Sequence, residues 1–195
     1  MRRKGVRLRV VIVGIPGVGK TTVVGKLASV MRGAELVTFG TVMLEEAKKR
    51  KWVGHRDELR KLPVERQRRL QAAAAATISR MKRQAVLVDT HLFIRTDEGF
   101  WPGLPYEVAR ALKPTHLVLV EAKPEEVSLR RAADKLRYRD SISTQELAEE
   151  MELARGLLTV ASTLTGAPML IVRNEEGKVD EAVERVVRAV RGERA

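Results

Sequence analysis

A glycine-rich stretch near the start of the chain, residues 14–21, limits the possible folds more than any other feature. It reads Gly-Ile-Pro-Gly-Val-Gly-Lys-Thr and fits the pattern G-x-x-x-x-G-K-[ST]. An apolar run at residues 10–13 precedes it, and residues 22–31 follow with a helical pattern. Glycines let backbone amides turn toward a phosphate group, and the N-terminus of a following helix adds its dipole. Strand, glycine loop and helix together predict a phosphate-binding P-loop.

Two side chains at the end of this stretch indicate what the loop binds. The Lys20 ammonium is expected to reach the outer phosphates of a nucleotide, and the Thr21 hydroxyl to ligate Mg²⁺. The alternative is a glycine turn that only joins a strand to a helix, and the matched context disfavours it. We expect nucleotide contacts from Gly14, Ile15, Pro16, Gly17, Val18, Gly19, Lys20, Thr21 and Thr22.

The rest of the chain alternates apolar runs with helical segments, which predicts a parallel sheet covered on both faces. Its 195 residues fit one domain. We predict an α/β fold of the P-loop NTPase type, with three α/β/α layers and a five-stranded parallel sheet. The predicted strands are residues 8–13, 35–39, 85–89, 116–120 and 169–172. A helix is predicted at 42–51, loops at 51–62 and 99–105, and further helices from Pro63, at 106–112, from Pro124, at 143–164 and at 179–190.

The charge balance leaves two classes of partner open. The chain carries 37 basic and 25 acidic side chains, a formal net charge of +12. Such a charge fits non-specific nucleic-acid binding or a site for small, highly charged phosphate substrates. The arginines are spread among motifs and only 4% of residues are aromatic, so surfaces for base stacking are poor. We favour the small substrate and treat RNA contact as secondary.

The absence of cysteine, of a membrane-spanning run and of a signal peptide narrows the cellular compartments and the metal sites that the sequence allows. The chain has no cysteine, which excludes disulfides and cysteine-ligated zinc. No apolar run is long enough to span a bilayer, and the basic N-terminus lacks the apolar core of a signal peptide. We therefore predict a cytoplasmic protein without membrane contact.

Acidic and imidazole side chains follow the third predicted strand. Asp89 ends that strand, and ligands of open α/β sheets bind at the carboxyl ends of strands. This carboxylate is expected to face the P-loop and to help Thr21 hold magnesium, usually through water. His91 lies two residues later, and a lone histidine fits either a hydrogen-bonded structural group or a site role.

Several arginines lie in or beside predicted loops. Transfer of a phosphoryl group between two nucleotides concentrates negative charge and needs no side-chain nucleophile. Forked guanidinium groups bind phosphate oxygens bidentately, so such a reaction favours arginines around the P-loop. Any single arginine also fits a solvated surface. The residues concerned are Arg56, Arg60, Arg95, Arg130, Arg131, Arg137 and Arg139.

These residues together resemble those of an archaeal-type adenylate kinase, within the P-loop nucleoside monophosphate kinases. The resemblance spans nearly the whole chain. It is carried by the P-loop, residues 56–62, the trio Asp89-Thr90-His91, the run Ile94-Arg95-Thr96 with residues 99–105, and the arginine-rich segment 130–140.

The resemblance implies reversible, Mg²⁺-dependent transfer of the γ-phosphoryl group of ATP to AMP, which gives two ADP. It implies a single kinase domain over residues 1–195. A monophosphate-binding insertion would cover about residues 40–70, and a short lid about residues 137–141. It also implies a homotrimer, since archaeal adenylate kinases are often trimeric.

The same resemblance implies roles for individual residues. Arg130 or Arg131 would stack on or flank the ATP adenine, and residues 173–177 would edge the same base. The implied ligands of the AMP phosphate are Arg56, Arg60 and Arg95. The implied catalytic residues are Lys20, Asp89, Arg137 and Arg139, the last two closing over the transferring group.

Two departures from bacterial relatives leave parts of this picture open. Many bacterial adenylate kinases carry a long lid, sometimes with cysteine-bound zinc, and this chain has too few residues there. Those relatives also have a glycine-phenylalanine-proline-arginine run after the acid that ends strand three. Residues 90–95 replace it here, so the partner of Arg95 stays open, as does the base read at the monophosphate site.

Two other functions compete with this interpretation. One is another small P-loop kinase, acting on a different nucleoside monophosphate or on a sugar acid. The other is an RNA- or ribosome-associated factor that uses nucleotide as a switch, which the +12 charge motivates. A GTPase is disfavoured because the chain has no Asn-Lys-x-Asp motif and residues 89–91 do not begin an Asp-x-x-Gly motif.

Overall fold

The computed structural model describes residues 7–96, 98–133 and 142–193, except for the side chains of Asp57 and Arg60. Its strands are β1 (Leu8–Val13), β2 (Ala34–Thr38), β3 (Ala85–Asp89), β4 (Phe93–Thr96), β5 (Gly99–Pro102), β6 (His116–Glu121) and β7 (Met169–Arg173). Its helices are α1 (Lys20–Val30), α2 (Phe39–Lys49), α3 (Val64–Ser79), α4 (Tyr106–Leu112), α5 (Pro124–Ala133), α6 (Thr144–Thr165) and α7 (Val179–Arg191). A 3-10 helix (Arg56–Lys61) lies between α2 and α3.

Five strands form one parallel sheet in the order β2-β3-β1-β6-β7. The central strand β1 is hydrogen-bonded on both sides, so that Ile12 lies opposite Asp89 of β3 and Val118 of β6. The strands read as continuous apolar runs because helices cover both of their faces. The predicted five-stranded α/β fold is confirmed.

The helices pack in two groups around this sheet. α1 packs against α7, while α4 packs against α3 and α6. Both groups contribute buried side chains to the same core as the strands. Among them are Leu27 of α1, Ile78 of α3, Leu112 of α4, Leu158 of α6 and Val186 of α7. The sheet and its two helical layers form the predicted three-layer arrangement.

The segment that follows β3 differs from its prediction. The sequence predicts a loop at residues 99–105, whereas β4 and β5 pair there as an antiparallel hairpin. The prediction is wrong for residues 99–102. The rings of Phe93 and Phe100 pack edge to face with 4.9 Å between their centroids, and Gly99 adopts a φ of 110° at the turn. Glycine and proline, which indicate a loop, here serve a tight turn and a short edge strand.

Helix starts agree with the sequence where capping chemistry is present. Pro63 precedes α3, and Glu65 lies in its first turn. The Ser143 hydroxyl accepts a hydrogen bond from the Glu146 amide at 3.1 Å, and the Glu146 carboxylate accepts one from the Ser143 amide at 2.8 Å. Without such a cap, the helix predicted at residues 42–51 begins earlier, at Phe39. Within the described part of the chain, no helix is long and apolar enough to cross a membrane.

Candidate active site

The P-loop and Asp89, two parts of the predicted site, lie at the carboxyl ends of the three central strands. The P-loop leaves β1 at Val13, Asp89 ends β3, and Glu121 ends β6 on the other side. In a parallel sheet of this order, the connections from β1 and from its neighbours diverge here and open a crevice. The sheet topology therefore brings the loop and the acid together although they are distant in sequence.

The loop itself requires glycine at positions where the backbone is crowded or left-handed. Gly19 precedes α1 with a φ of 78°, and an added Cβ would run into the side-chain amide of Asn174. A Cβ on Gly14 would lie 2.7 Å from the backbone oxygen of Val120 on β6. The loop thus packs directly on the end of the sheet, and its shape tolerates no side chain at either position.

A buried ion pair lies at the floor of the loop. The Lys20 Nζ atom donates to the Asp89 Oδ1 atom, and the two side chains are only 8% and 15% exposed. The Thr90 amide donates to the Ile12 oxygen at 3.0 Å, which ties the end of β3 to β1. Lys20 and Asp89, both predicted as catalytic, are therefore brought into direct contact.

His91 lies on the same floor. Its Nδ1 atom is 3.4 Å from the Gly14 oxygen, so a proton on Nδ1 points toward the loop. Burial, and then the nearby Lys20 ammonium, lower the pKa of His91 from 6.5 to about 4, with a smaller contribution from Arg56. The imidazole is therefore neutral near pH 7. The sequence left open whether His91 lies at the site or is a structural residue elsewhere in the fold.

Three side chains bind the outside of the P-loop. Arg131 donates through Nε to the Pro16 oxygen at 2.9 Å. The buried Asn174 donates through Nδ2 to the Val18 oxygen at 2.9 Å, and Arg130 donates through Nη1 to the same oxygen at 3.4 Å and through Nη2 to the backbone oxygen of Asn174 at 3.2 Å. These bonds restrain the peptide groups of the loop from outside. The sequence placed residues 173–177 near the base but missed this role of Asn174, the single asparagine of the chain.

Of the arginines predicted to bind AMP, two are described with their side chains. Arg56 is exposed on the 3-10 helix and approaches Gly40, where an added Cβ would lie 3.2 Å from its Nη2 atom. Arg95 lies on β4, with its guanidinium carbon 5.2 Å from the centroid of the Phe100 ring. The Arg60 side chain is outside the described part, and so are Arg137, Arg139 and the predicted lid at 137–141.

The donor atoms present suit magnesium that arrives with a nucleotide. Among the described residues, no group of three or more His, Cys, Asp or Glu side chains is placed to hold a metal ion. The exposed Thr21 hydroxyl and the Asp89 carboxylate supply hard oxygen atoms beside Lys20. Mg²⁺ commonly takes one or two protein oxygens and completes its shell with phosphates and water. The residues therefore fit this ion.

Comparison with solved structures gives the same fold. A shikimate kinase from Bacteroides thetaiotaomicron superposes with a TM-score of 0.63 at 13% identity, covering 94% of this chain and 98% of that one. A shikimate kinase from Acinetobacter baumannii, solved in complex with shikimate, gives a TM-score of 0.62 at 16% identity, covering 94% and 93%. At such identities the likeness shows the fold alone.

Comparison by sequence is more specific. A family model described as an AAA domain matches residues 13–148. An adenylate kinase from Methanopyrus kandleri is 42% identical over 185 residues, covering 93% of this chain and 97% of that relative. An adenylate kinase from Pyrococcus horikoshii is 43% identical over 183 residues, covering 92% and 93%. With such identity over nearly its whole length, the chain belongs to the adenylate kinase family.

Proposed function

We propose that this chain transfers the γ-phosphoryl group of MgATP reversibly to AMP, with the P-loop as the donor half of the site. The observation that carries the proposal is the buried contact between Lys20 and Asp89 beneath the P-loop. Arginines lie on both sides of this contact, on α5 and on the segments around Arg56 and Arg95. The adenylate kinases to which the chain is similar support ATP and AMP as the two substrates.

The donor half binds ATP through the loop. The loop amides and the N-terminus of α1 receive the phosphates, and Lys20 turns from Asp89 to the outer phosphate oxygens. Arg130, which lies beside Asn174, flanks the adenine in this proposal. Arg131, bound to the Pro16 oxygen, supports the start of the loop from outside.

Magnesium enters with the nucleotide. Thr21 would hold it through the hydroxyl group, and Asp89 would hold it through water. When bound, it neutralises charge that builds on the phosphate oxygens. Before ATP binds, the contact with Asp89 holds Lys20 at the floor of the loop.

The acceptor half lies beneath the proposed insertion at about residues 40–70. Arg56, Arg60 and Arg95 bind the AMP phosphate and neutralise it. An oxygen of that phosphate attacks the γ-phosphorus in line, the bond to the bridging oxygen of ATP breaks, and ADP leaves with the electron pair. A lid at about residues 137–141 closes, excludes water as a competing acceptor, and adds Arg137 and Arg139. The proposal for the lid rests on the family resemblance.

The test is a panel of acceptors with and without Mg²⁺. ATP consumption is measured with AMP, CMP, UMP, GMP, dTMP and shikimate, and we expect AMP to be the preferred acceptor and turnover to require Mg²⁺. Lys20→Ala should abolish measurable turnover, while Lys26→Ala should not, since Lys26 lies on the same helix in an exposed pair with Asp180. A different preferred acceptor, or near-normal turnover in Lys20→Ala, would overturn the proposal.

Assembly and location stay predictions. The homotrimer implied by the resemblance predicts three times the chain mass of 21.8 kDa in sedimentation equilibrium. A cytoplasmic location agrees with ATP and AMP as substrates. RNA contact predicts binding that weakens steeply with salt, which a titration against RNA at two salt concentrations measures.

A further inference from the structure

A carboxylate on α6 is buried at a position where the helix otherwise presents apolar side chains. The buried side of the helix carries Leu147, Glu150, Met151 and Ala154, spaced as one face of a helix. The Glu150 side chain is only 6% exposed. Burying a charge is costly unless it is paired, so its partners define what it does.

Two arginines from different parts of the chain share this carboxylate. Arg95 of β4 donates through Nε to Oε1 at 3.0 Å, and Arg131 of α5 donates through Nη2 to Oε2 at 3.4 Å. Arg131 also donates to the Pro16 oxygen of the P-loop at 2.9 Å. Glu150 therefore joins an arginine of the donor half to an arginine of the acceptor half.

We propose that Glu150 is a positioning residue for phosphoryl transfer, which sets the direction of Arg95 toward the AMP phosphate and holds Arg131 against the P-loop. The inference rests on the proposed function, because it takes the roles of these arginines from it. Glu150 acts through the arginines and has no contact with substrate of its own in this proposal.

The atoms that form the ion pair between Glu150 and Arg95 indicate that Glu150 orients Arg95 and leaves its phosphate-binding nitrogens available. Glu150 binds Arg95 at Nε, and within the described part of the chain neither terminal nitrogen of Arg95 is hydrogen-bonded to the protein. Both terminal nitrogens thus remain for a phosphate, in the forked geometry that guanidinium uses for oxyanions.

A second argument is conformational entropy. An arginine side chain loses rotamer entropy when it is fixed in one geometry. Arg95 is 46% exposed, and among the described residues its guanidinium group also lies against the Phe100 ring, a contact that restrains it less than an ion pair does. With the carboxylate in place, part of this entropy is lost on folding, so that AMP binding does not have to supply it.

Glu150→Gln tests the inference, with Glu149→Gln as the matched control. Glutamine keeps the shape and removes the charge, while Glu149 is an exposed acid one residue away on the same helix. In Glu150→Gln we expect KM for AMP to rise and kcat to fall, with a combined loss in kcat/KM for AMP of about 10- to 100-fold. Glu149→Gln should stay within about twofold of the unsubstituted enzyme, as surface substitutions usually do.

A double-mutant cycle with Arg95→Met separates positioning from stability. If Glu150 acts through Arg95, Glu150→Gln should cost much less in kcat/KM when Arg95 is already methionine. If the carboxylate only stabilises the fold, the kinetic losses should multiply and should follow the melting temperature. Multiplying losses, or a Glu150→Gln enzyme with the kinetics of Glu149→Gln, would overturn the inference.

Two further outcomes are distinguishable. Should Glu150→Gln fail to fold, Glu150→Asp keeps the charge and withdraws the carboxylate by one methylene. A folded aspartate variant with normal KM for AMP would then contradict the inference, and a raised KM would support it. Failure of the proposed function itself would appear in the unsubstituted enzyme, as absent AMP-dependent ATP consumption, whatever the variants do.

Discussion

The proposed donor and acceptor halves of the site are held in different ways. In the donor half, protein groups bind the loop from outside at Pro16 and Val18, and Lys20 is buried against Asp89. In the acceptor half, Arg56 is exposed and Arg95 rests on one carboxylate and one ring. The donor half keeps its arrangement through protein contacts alone, whereas the acceptor half depends on its substrate to complete it. Changes in the two halves should therefore have different kinetic signatures.

Among the changes that compare the two halves, Asp89→Asn should have the largest effect. This change removes the partner of Lys20 and a proposed magnesium-bound water ligand at once. We expect kcat to fall on the order of 100- to 1,000-fold, as for other preorganised electrostatic groups, with a smaller change in nucleotide affinity. Steady-state kinetics with ATP and AMP measure it. Asp180→Asn is the control, because Asp180 pairs with Lys26 on the surface. A loss below about threefold would mean that the donor half does not depend on this pair.

Gly19→Ala should be next, with a signature confined to the donor half. Its φ of 78° costs about 1–2 kcal/mol for a residue with a Cβ. The new methyl group would also displace Asn174 from the loop. We expect KM for ATP to rise roughly 30-fold, given that 1.4 kcal/mol is tenfold. Gly25→Ala is the matched control on α1, where an added Cβ meets nothing within 4 Å. It should stabilise the protein by about 1 kcal/mol with unchanged KM, and equal effects of the two changes would contradict the prediction.

His91 lies between the two halves and makes a prediction about pH. Its pKa is about 4 in the folded chain and 6.5 as the ordinary value, so the unfolded chain takes up the proton first. Stability from this group is complete above about pH 6.5 and is lost as the pH falls toward 4. Between pH 7 and pH 5 we expect the enzyme to lose about 2 kcal/mol more than a His91→Asn variant. Urea unfolding at both pH values measures this difference, and parallel losses would refute it.

Arg56→Met should have the smallest effect and should act on one substrate. Loss of a charge-assisted hydrogen bond to phosphate predicts a rise in KM for AMP of about tenfold. KM for ATP should not change, because no hydrogen bond between described residues joins Arg56 to the P-loop. Arg68→Met, at an exposed position on α3, is the control. Equal changes in both KM values would show that the two halves are not separable in this way.

The position of Asp89 beside the P-loop could be predicted from the sequence, because parallel strands end at the same edge of a sheet. The hairpin of β4 and β5 could not, since its stability comes from one aromatic contact between side chains seven residues apart. Gly99 and Pro102 are residues typical of loops, and the alternating pattern of a four-residue strand is too short to outweigh that signal.

The shared partner of Arg95 and Arg131 could not be predicted from the sequence either. Glu150 is 55 residues from Arg95 and 19 from Arg131, and nothing in the pattern of α6 marks it as more than a helical acid. Its position on the apolar face of the helix was the available signal. Such a signal identifies a buried charge but not its partner, which depends on how three elements pack.

The central place of β1 has a consequence for how the molecule opens. Its amides are bonded within a sheet that has two strands on each side, so the anchor of the P-loop should exchange hydrogen with solvent only on global unfolding. β4 and β5 form a separate two-stranded sheet, and such a unit is marginally stable by itself. On warming, Arg95 should therefore lose its support before the P-loop does. Affinity for AMP should then fall several degrees below the melting temperature, while affinity for ATP persists.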